Sequence, residues 1–367
     1  MTRLRLAVVG AGVIGRDHIK CIQDYDDCEL VALVDTAPPA VAKALAASVP
    51  LFTSLPDLFK TMQVDGVILA TPNKLHVPDT LICITAGVAV LVEKPISDSL
   101  EDAQRLTVEV EKSKVPVLVG HHRRHSAILE QARAVIESGV LGKIVAVTAS
   151  ATFVKPDSYY DIAPWRKQKG AGPILTNLVH EVDNLRTLMG DIVEVQAFSS
   201  NATRGFEIED TAAINLRFAN GALGTFMLSD CAASPRSWEQ TSGENKDYDY
   251  FSDENCYFIA GTNGSLAVPT MKLLTYNGER SWMKPLTRKQ LERIDADPLL
   301  KQIAHFCRLI RGEEAPRCTV RDATRTLQVA LAVAEAAQCG ERINLPPAQE
   351  EQHKKIAQTV PWEPSPA

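Results

Sequence analysis

The chain has 367 residues, 45% of them apolar and 23% charged, and a net charge of −6. That length suits about two domains of roughly 150 residues each, and the balance is that of a globular protein, not a disordered or fibrous one. The acidic sign argues against nucleic acid or an anionic membrane surface as the main partner, and no apolar run reaches the ~18 residues of a membrane span.

From the N-terminus, two patterns alternate. Short β-branched runs stand at Leu4–Gly10, Leu30–Asp35, Val64–Ala70, Val88–Val92 and Val115–Gly120. Helical periodicity fills the segments Gly12–Asp24, Pro39–Ala47, Leu55–Met62, Val77–Ala86 and Leu100–Lys112. Strands alternating with helices imply βαβ units and a parallel sheet, and nearly all-apolar strands imply helices on both faces. Arg3 and Arg5 before an apolar stretch superficially resemble a signal peptide. Gly10, Gly12 and Gly15 break that stretch and Arg16-Asp17 end it, so a strand running into a helix fits better, and the protein reads as cytoplasmic.

After residue 123 the pattern changes. A helix at Ser126–Ser138 leads into a long alternating strand, Lys143–Phe153, then a polar, aromatic segment, Lys155–Lys169, and a helix from about Pro173 to Met189. Six strand candidates follow without helices between them: Val193–Ser200, Thr211–Phe218, Leu223–Ser229, Cys256–Gly261, Ser265–Val268 and Met271–Tyr276. That order predicts an antiparallel sheet and an α+β second domain. Asn220-Gly221 and Asn263-Gly264 mark hairpin turns. Ser237–Asp253 reads as a long loop, helices follow at Pro298–Arg311 and Val320–Cys339, and the rest is a proline-bearing tail. The expected division is 1–123, 124–345 and a tail, 346–367. The eight cysteines form no C-x-x-C pair and do not cluster with histidines, so no metal site is expected and they read as small buried residues in a reducing compartment.

The strongest local signal is Gly10-Ala11-Gly12-Val13-Ile14-Gly15, which follows the first strand and opens a helix. Its first glycine permits a tight turn, its second admits a pyrophosphate, and its third lets helix and strand pack closely. Asp35 ends the next strand about 20 residues after Gly15, the spacing at which a carboxylate meets ribose hydroxyls. Thr36-Ala37-Pro38 offer no arginine for a 2′-phosphate, so the cofactor reads as NAD rather than NADP. Thr71, Asn73 and His76 follow another strand end, where ligands bind in open α/β sheets. For His76, a solvent-facing position on a helix is the alternative. The run Val88–Val92 leads into Glu93-Lys94-Pro95, placing a lysine at a strand's carboxyl end. Partial desolvation there suits an amine to polarise a hydroxyl.

The motifs G-A-G-V-I-G, A-T-P-N-x-x-H, E-K-P and a later G-x-G…H-x-x-D helix, in this order, resemble the glucose–fructose oxidoreductase / inositol dehydrogenase (Gfo/Idh/MocA) family from residue 4 to about 345. The resemblance implies a Rossmann domain, a second domain with an open, mostly antiparallel sheet, and a homodimer or homotetramer formed through that sheet. It implies hydride transfer between a nicotinamide and a sugar, cyclitol, sugar acid or related diol. It places Lys94 and His180 at the reacting carbon, with Glu93, Trp165 and Arg166 near the cofactor. On one helix, Thr176, His180 and Asp183 would share a face, with Asn177 a neighbour. Many polyol-oxidising members carry an Asp at the position of Thr176, so the sequence points away from an inositol dehydrogenase.

On the substrate side the resemblance offers His122 and Arg123 after the strand Val115–Gly120, with Arg124 either nearby or in an interdomain ion pair. Tyr159 and Tyr160 present an aromatic face for a sugar ring, or pack a loop. Two other readings share the motifs: a non-catalytic NAD-linked regulator, and a glycosidase that retains its NAD.

Overall fold

The computed structural model describes residues 2–36 and 49–346. The predicted helix at Pro39–Ala47, residues Ala37 and Pro38, and the tail from residue 347 lie outside the described residues. The chain divides into two compact units. The first comprises the residues up to Ala127, Val179–Asn184 and Asp295–Leu331. The second comprises Ile128–Leu178, Leu185–Ile294 and the residues from Ala332 on.

In the first unit, six parallel strands are β1 (Leu4–Val9), β2 (Cys28–Val34), β3 (Leu51–Phe52), β4 (Gly66–Leu69), β5 (Ala89–Glu93) and β6 (Val117–Gly120). Their spatial order, β3-β2-β1-β4-β5-β6, is that of a Rossmann sheet. β4 and β5 are buried throughout, as a sheet covered on both faces requires. β3, two residues long, is too short to register as a hydrophobic run.

Caps set the helix ends. Ser99 accepts from the Asp102 N–H and starts Leu100–Lys112, with Glu101 and Asp102 favourably placed in its first turn. Asp297 accepts from the N–H groups of Leu299 and Leu300 and, with Pro298 in the first turn, starts Pro298–Ile310. This last helix lays Ile303, Phe306 and Cys307 into the core of the parallel sheet. Gly66 is what admits it, because a Cβ there would lie 3.0 Å from the Phe306 ring. The unit is therefore discontinuous in sequence.

In the second unit a nine-stranded sheet has the order β14-β13-β12-β11-β7-β10-β9-β8-β15. The strands are β7 (Ile144–Thr152), β8 (Ile192–Ser200), β9 (Thr211–Phe218), β10 (Leu223–Ser229), β11 (Tyr257–Gly261), β12 (Gly264–Val268), β13 (Lys272–Thr275), β14 (Thr287–Gln290) and β15 (Ile343–Asn344). Every pairing is antiparallel except β7 with β10. Alternation is clean: Ala212, Ile214, Leu216 and Phe218 are buried while Ala213, Asn215 and Arg217 are exposed. Asn220-Gly221 lies in the β9–β10 connection, where Gly221 takes a positive φ of 88°, and Asn263 lies in the β11–β12 connection with Gly264 opening β12.

The structure corrects three readings. Ser237–Asp253 contains a helix, Trp238–Ser242, started by Ser237 and anchored by the buried indole of Trp238 against Tyr257. β14 and β15 lie outside the predicted strands. β14 is wholly exposed and polar, so it carries no alternation. The helix expected from Pro173 to Met189 is two helices, Pro173–Thr176 and Leu178–Met189, meeting at Asn177. Phe306→Ala removes a fully buried ring, and the expected cost is about 3–5 kcal/mol in urea unfolding. A loss under about 1 kcal/mol would show that this helix does not hold the core together.

Candidate functional site

The glycine motif makes the first part of the site. Gly10 has φ 93°, and a Cβ on it would lie 2.6 Å from the Ala70 carbonyl oxygen. A Cβ on Gly15 would collide with the Gly10 carbonyl. Gly12 differs, because a Cβ there would meet nothing within 4 Å. The chain itself leaves that space open. Gly12 caps Val13–Gln23 without a side-chain hydrogen bond, so the first N–H groups of the helix have no side-chain acceptor there. Gly12 and Val13 are exposed and Ile14 half-buried. This is a cradle for a phosphate group. Asp35 stands beside it at the end of β2, and its Oδ2 accepts from the Ala11 N–H at 2.8 Å. These residues fit a dinucleotide.

Thr71 follows β4 and donates its hydroxyl to Asp79 at 3.3 Å. Asn73 is exposed at the start of the helix Asn73–Ala86. His76 is buried, not solvent-facing. Its Nδ1 lies 2.7 Å from the Pro95 carbonyl and its Nε2 2.8 Å from that of Thr71. The ring thus bridges the turns after β4 and β5.

Glu93 ends β5 and is buried. Its Oε1 accepts from His18 Nε2 at 2.8 Å, and its Oε2 from the Lys94 N–H at 3.3 Å. Burial works against the Glu93 charge, but the His18 hydrogen bond and the nearby Lys94 outweigh it and hold the carboxyl below its usual range. His18 escaped the sequence reading. Its signal was its place on the buried stripe with Gly15, Ile19 and Ile22.

Lys94 and His180 belong to the same unit. His180 is half-buried, 5.4 Å from the His122 ring and 6.5 Å from that of His121, both in edge geometry. Burial drives the His180 imidazole well below its ordinary range, and the charge of Lys94 adds to this. Burial likewise pushes His122 down to about 3 and His121 to about 4. At neutral pH the three rings are uncharged. His180 therefore has a free pair of electrons to accept a proton.

Arg123, expected to face a substrate, is buried, and its Nη1 lies 2.6 Å from Glu181. Arg124 grips Asp183 with two hydrogen bonds, of 2.9 and 2.8 Å. It forms an ion pair, but with Asp183 of the same unit and not the interdomain pair expected as the alternative. His121, Asp183 and Cys318 bring one ligand-type atom each within 4.8 Å of one another. Arg124 engages both Asp183 oxygens and Thr326 donates to one of them, so the carboxylate already has its cation.

The remaining candidates lie in the second unit. Tyr160 is buried and its hydroxyl donates to Asp230, so it is a packing residue with no exposed aromatic face. Trp165 is 59% exposed. Arg166 donates to the Tyr159 carbonyl at 2.7 Å and stacks 3.9 Å over the Tyr159 ring. Asn177 Oδ1 accepts from Lys155 Nζ at 2.7 Å and from the Thr176 hydroxyl at 3.0 Å. Lys155, absent from the sequence expectations, thus supplies the charge next to Asn177. Burial lowers its pKa while Asp230 opposes the shift.

Family models match the chain twice: the oxidoreductase family with NAD-binding Rossmann fold over residues 4–121, and the GFO/IDH/MocA C-terminal domain over 129–267. The 1,5-anhydro-D-fructose reductase of Ensifer adhaerens is 28% identical over 92% of this chain and 97% of its own. The myo-inositol 2-dehydrogenase of Thermotoga maritima is 27% identical over 60% of this chain and 67% of its own. The crystal structure of the WlbA dehydrogenase from Bordetella pertussis, in complex with NADH and UDP-GlcNAcA, matches with a TM-score of 0.73. It is 27% identical, over 94% of this chain and 99% of that one.

The depressed histidines make stability depend on pH. His121, His122, His125 and His180 bind protons near pH 6.5 when unfolded but resist them when folded. Their contribution is present above that pH and is lost as the pH falls below it. The melting temperature is expected to drop steadily between about pH 6.5 and about pH 4.5, and His121→Phe to flatten the slope. An unchanged slope in that variant would show that His121 protonates freely in the folded protein.

Proposed function

The chain belongs to the Gfo/Idh/MocA oxidoreductase family, and we propose that it is a dehydrogenase moving a hydride between NAD and a secondary alcohol or ketone of a sugar-like, polyhydroxylated substrate. The supporting observation is the placement of Lys94, at the carboxyl end of β5, and an uncharged His180 in one unit with the glycine cradle. Gly10, Gly12, Val13, Ile14, Gly15 and Asp35 would hold the dinucleotide, and Asp35 favours NAD over NADP because its charge repels a 2′-phosphate. Bound NAD supplies the acceptor for the hydride.

His180 takes the substrate's hydroxyl proton as the hydride leaves the same carbon. The oxygen then carries developing negative charge, which the Lys94 ammonium stabilises. The ketone product has lost one hydride and one proton, so the balance closes. The reverse reduction returns the proton from His180. Arg123 acts through Glu181 to fix the turn after β6, while His122 faces His180 and limits where the substrate hydroxyl sits. Relatives named for anhydrofructose and inositol, and a structural neighbour bound to a nucleotide sugar acid, support a carbohydrate-like substrate. Thr176 in place of a carboxylate favours one other than inositol.

The outer face of the nine-stranded sheet exposes Phe198, Leu223, Met227 and Phe258. On this reading it joins a second copy of the chain. The cysteines form no disulfide among the described residues, and on this reading they fit a reducing, cytoplasmic compartment. Sedimentation equilibrium is expected to give a dimer or tetramer, and Phe258→Glu to shift it toward monomer. A wild-type monomer at micromolar concentration would remove the assembly part of the proposal.

Activity is tested by NADH formation across a panel of sugars, cyclitols, anhydro sugars and sugar acids. Lys94→Ala and His180→Ala are each expected to lower kcat by about 10²–10⁴-fold on the best substrate. Retention of activity within about twofold in either variant would sink the role given to that residue.

A further inference from the structure

The Glu93-Lys94-Pro95 turn is held from three sides by groups outside the motif. From the helix that opens at the glycine cradle, His18 reaches Glu93 at 2.8 Å, and both side chains are buried. From β6, Gly120 gives the carboxylate its room, because a Cβ there would lie 2.8 Å from Glu93 Oε1. From the helix Asn73–Ala86, His76 holds the Pro95 carbonyl at 2.7 Å. Lys94 lies between the two fastened residues, and its own N–H points back to Glu93 Oε2 at 3.3 Å.

Of these contacts, the one from His18 is the least explained by packing. With Nε2–H donating to Glu93, His18 Nδ1 is buried without a hydrogen-bond partner among the described residues. A buried imidazole that satisfies only one nitrogen is poor packing for a core. An apolar residue would fill the stripe between Gly15 and Ile22 without that cost. His18 donates to Oε1 and the Lys94 N–H to Oε2, so the imidazole fixes one carboxylate oxygen from outside the motif.

We propose that His18 is a positioning residue: through Glu93 it sets the place of Lys94 and ties that place to the helix whose N-terminus forms the glycine cradle. The proposal rests on the reading of Lys94 as the catalytic lysine. His18 touches neither substrate nor cofactor on this account. Its loss leaves binding intact and misplaces the ammonium, and a misplacement of about 1 Å can cost about 10²-fold in rate.

The test compares His18→Ala, His18→Gln, Glu93→Gln and Lys94→Ala on the substrate found in the panel, with NAD affinity followed by fluorescence and folding by thermal melting. His18→Ala is expected to lower kcat at least about tenfold while KM and the NAD Kd stay within about threefold. His18→Gln keeps an N–H donor and is expected to recover kcat to within about threefold of wild type. His18→Ala combined with Glu93→Gln is expected to add little to either alone, because the two act as one unit. The proposal is overturned if kcat of His18→Ala stays within about twofold, if Gln rescues no better than Ala, or if the loss falls in KM or NAD affinity. Should His18→Ala fail to fold, Glu93→Gln decides on the same criteria. An active Lys94→Ala would instead overturn the reading of the lysine itself, and an inactive one beside a normal His18→Ala would overturn the positioning role alone.

Discussion

Two buried ion pairs fix the frame of the candidate site. Arg123 to Glu181 and Arg124 to Asp183 join the turn after β6 to the helical segment Val179–Asn184. His180 immediately precedes the first of their anchor points, Glu181, on that segment. Removing one partner of such a pair leaves an uncompensated buried charge, at a cost of about 3–5 kcal/mol. The pairs are bidentate or short and shielded from water, unlike the exposed Lys60–Asp57 or Lys112–Glu109 pairs, which contribute little. Among the described residues no hydrogen bond to the imidazole itself holds it beside His122. Fixing comes from the backbone beneath it.

Much of this was legible in the sequence. The glycine motif, the apolar strands and their carboxyl ends gave the parallel sheet, because each strand's burial on two faces erases alternation and marks it plainly. The second sheet was legible for the opposite reason, since β9 and β10 alternate cleanly. What escaped had no local signature. β14 is exposed on every residue, β3 and β15 are two residues long, and the packing of Phe306 over Gly66 spans most of the chain. A division drawn at one residue follows local pattern, whereas the compact units follow such long-range packing.

In the site, residue types were easier to anticipate than partners. Lys94 and His180 stood out by motif, but Arg123 and Tyr160 turned inward to Glu181 and Asp230. An arginine or tyrosine in a polar segment looks the same whether it meets a substrate or a buried carboxylate, and only the fold reveals which. His18 shows the converse. A histidine on an apolar stripe reads as core filler until the residue facing it is known to be a buried glutamate.

On the proposed mechanism, the burial of His180 bears on the two directions of turnover unequally. Burial keeps the imidazole in the form that accepts a proton, so oxidation finds it ready, whereas reduction must first load it with a proton from solvent. The rate of the reducing direction should then climb as the pH falls. The balance between alcohol and ketone is set by the substrate, the cofactor ratio and the pH, as for any catalyst. The ring governs how quickly each direction is reached, and not which side is favoured.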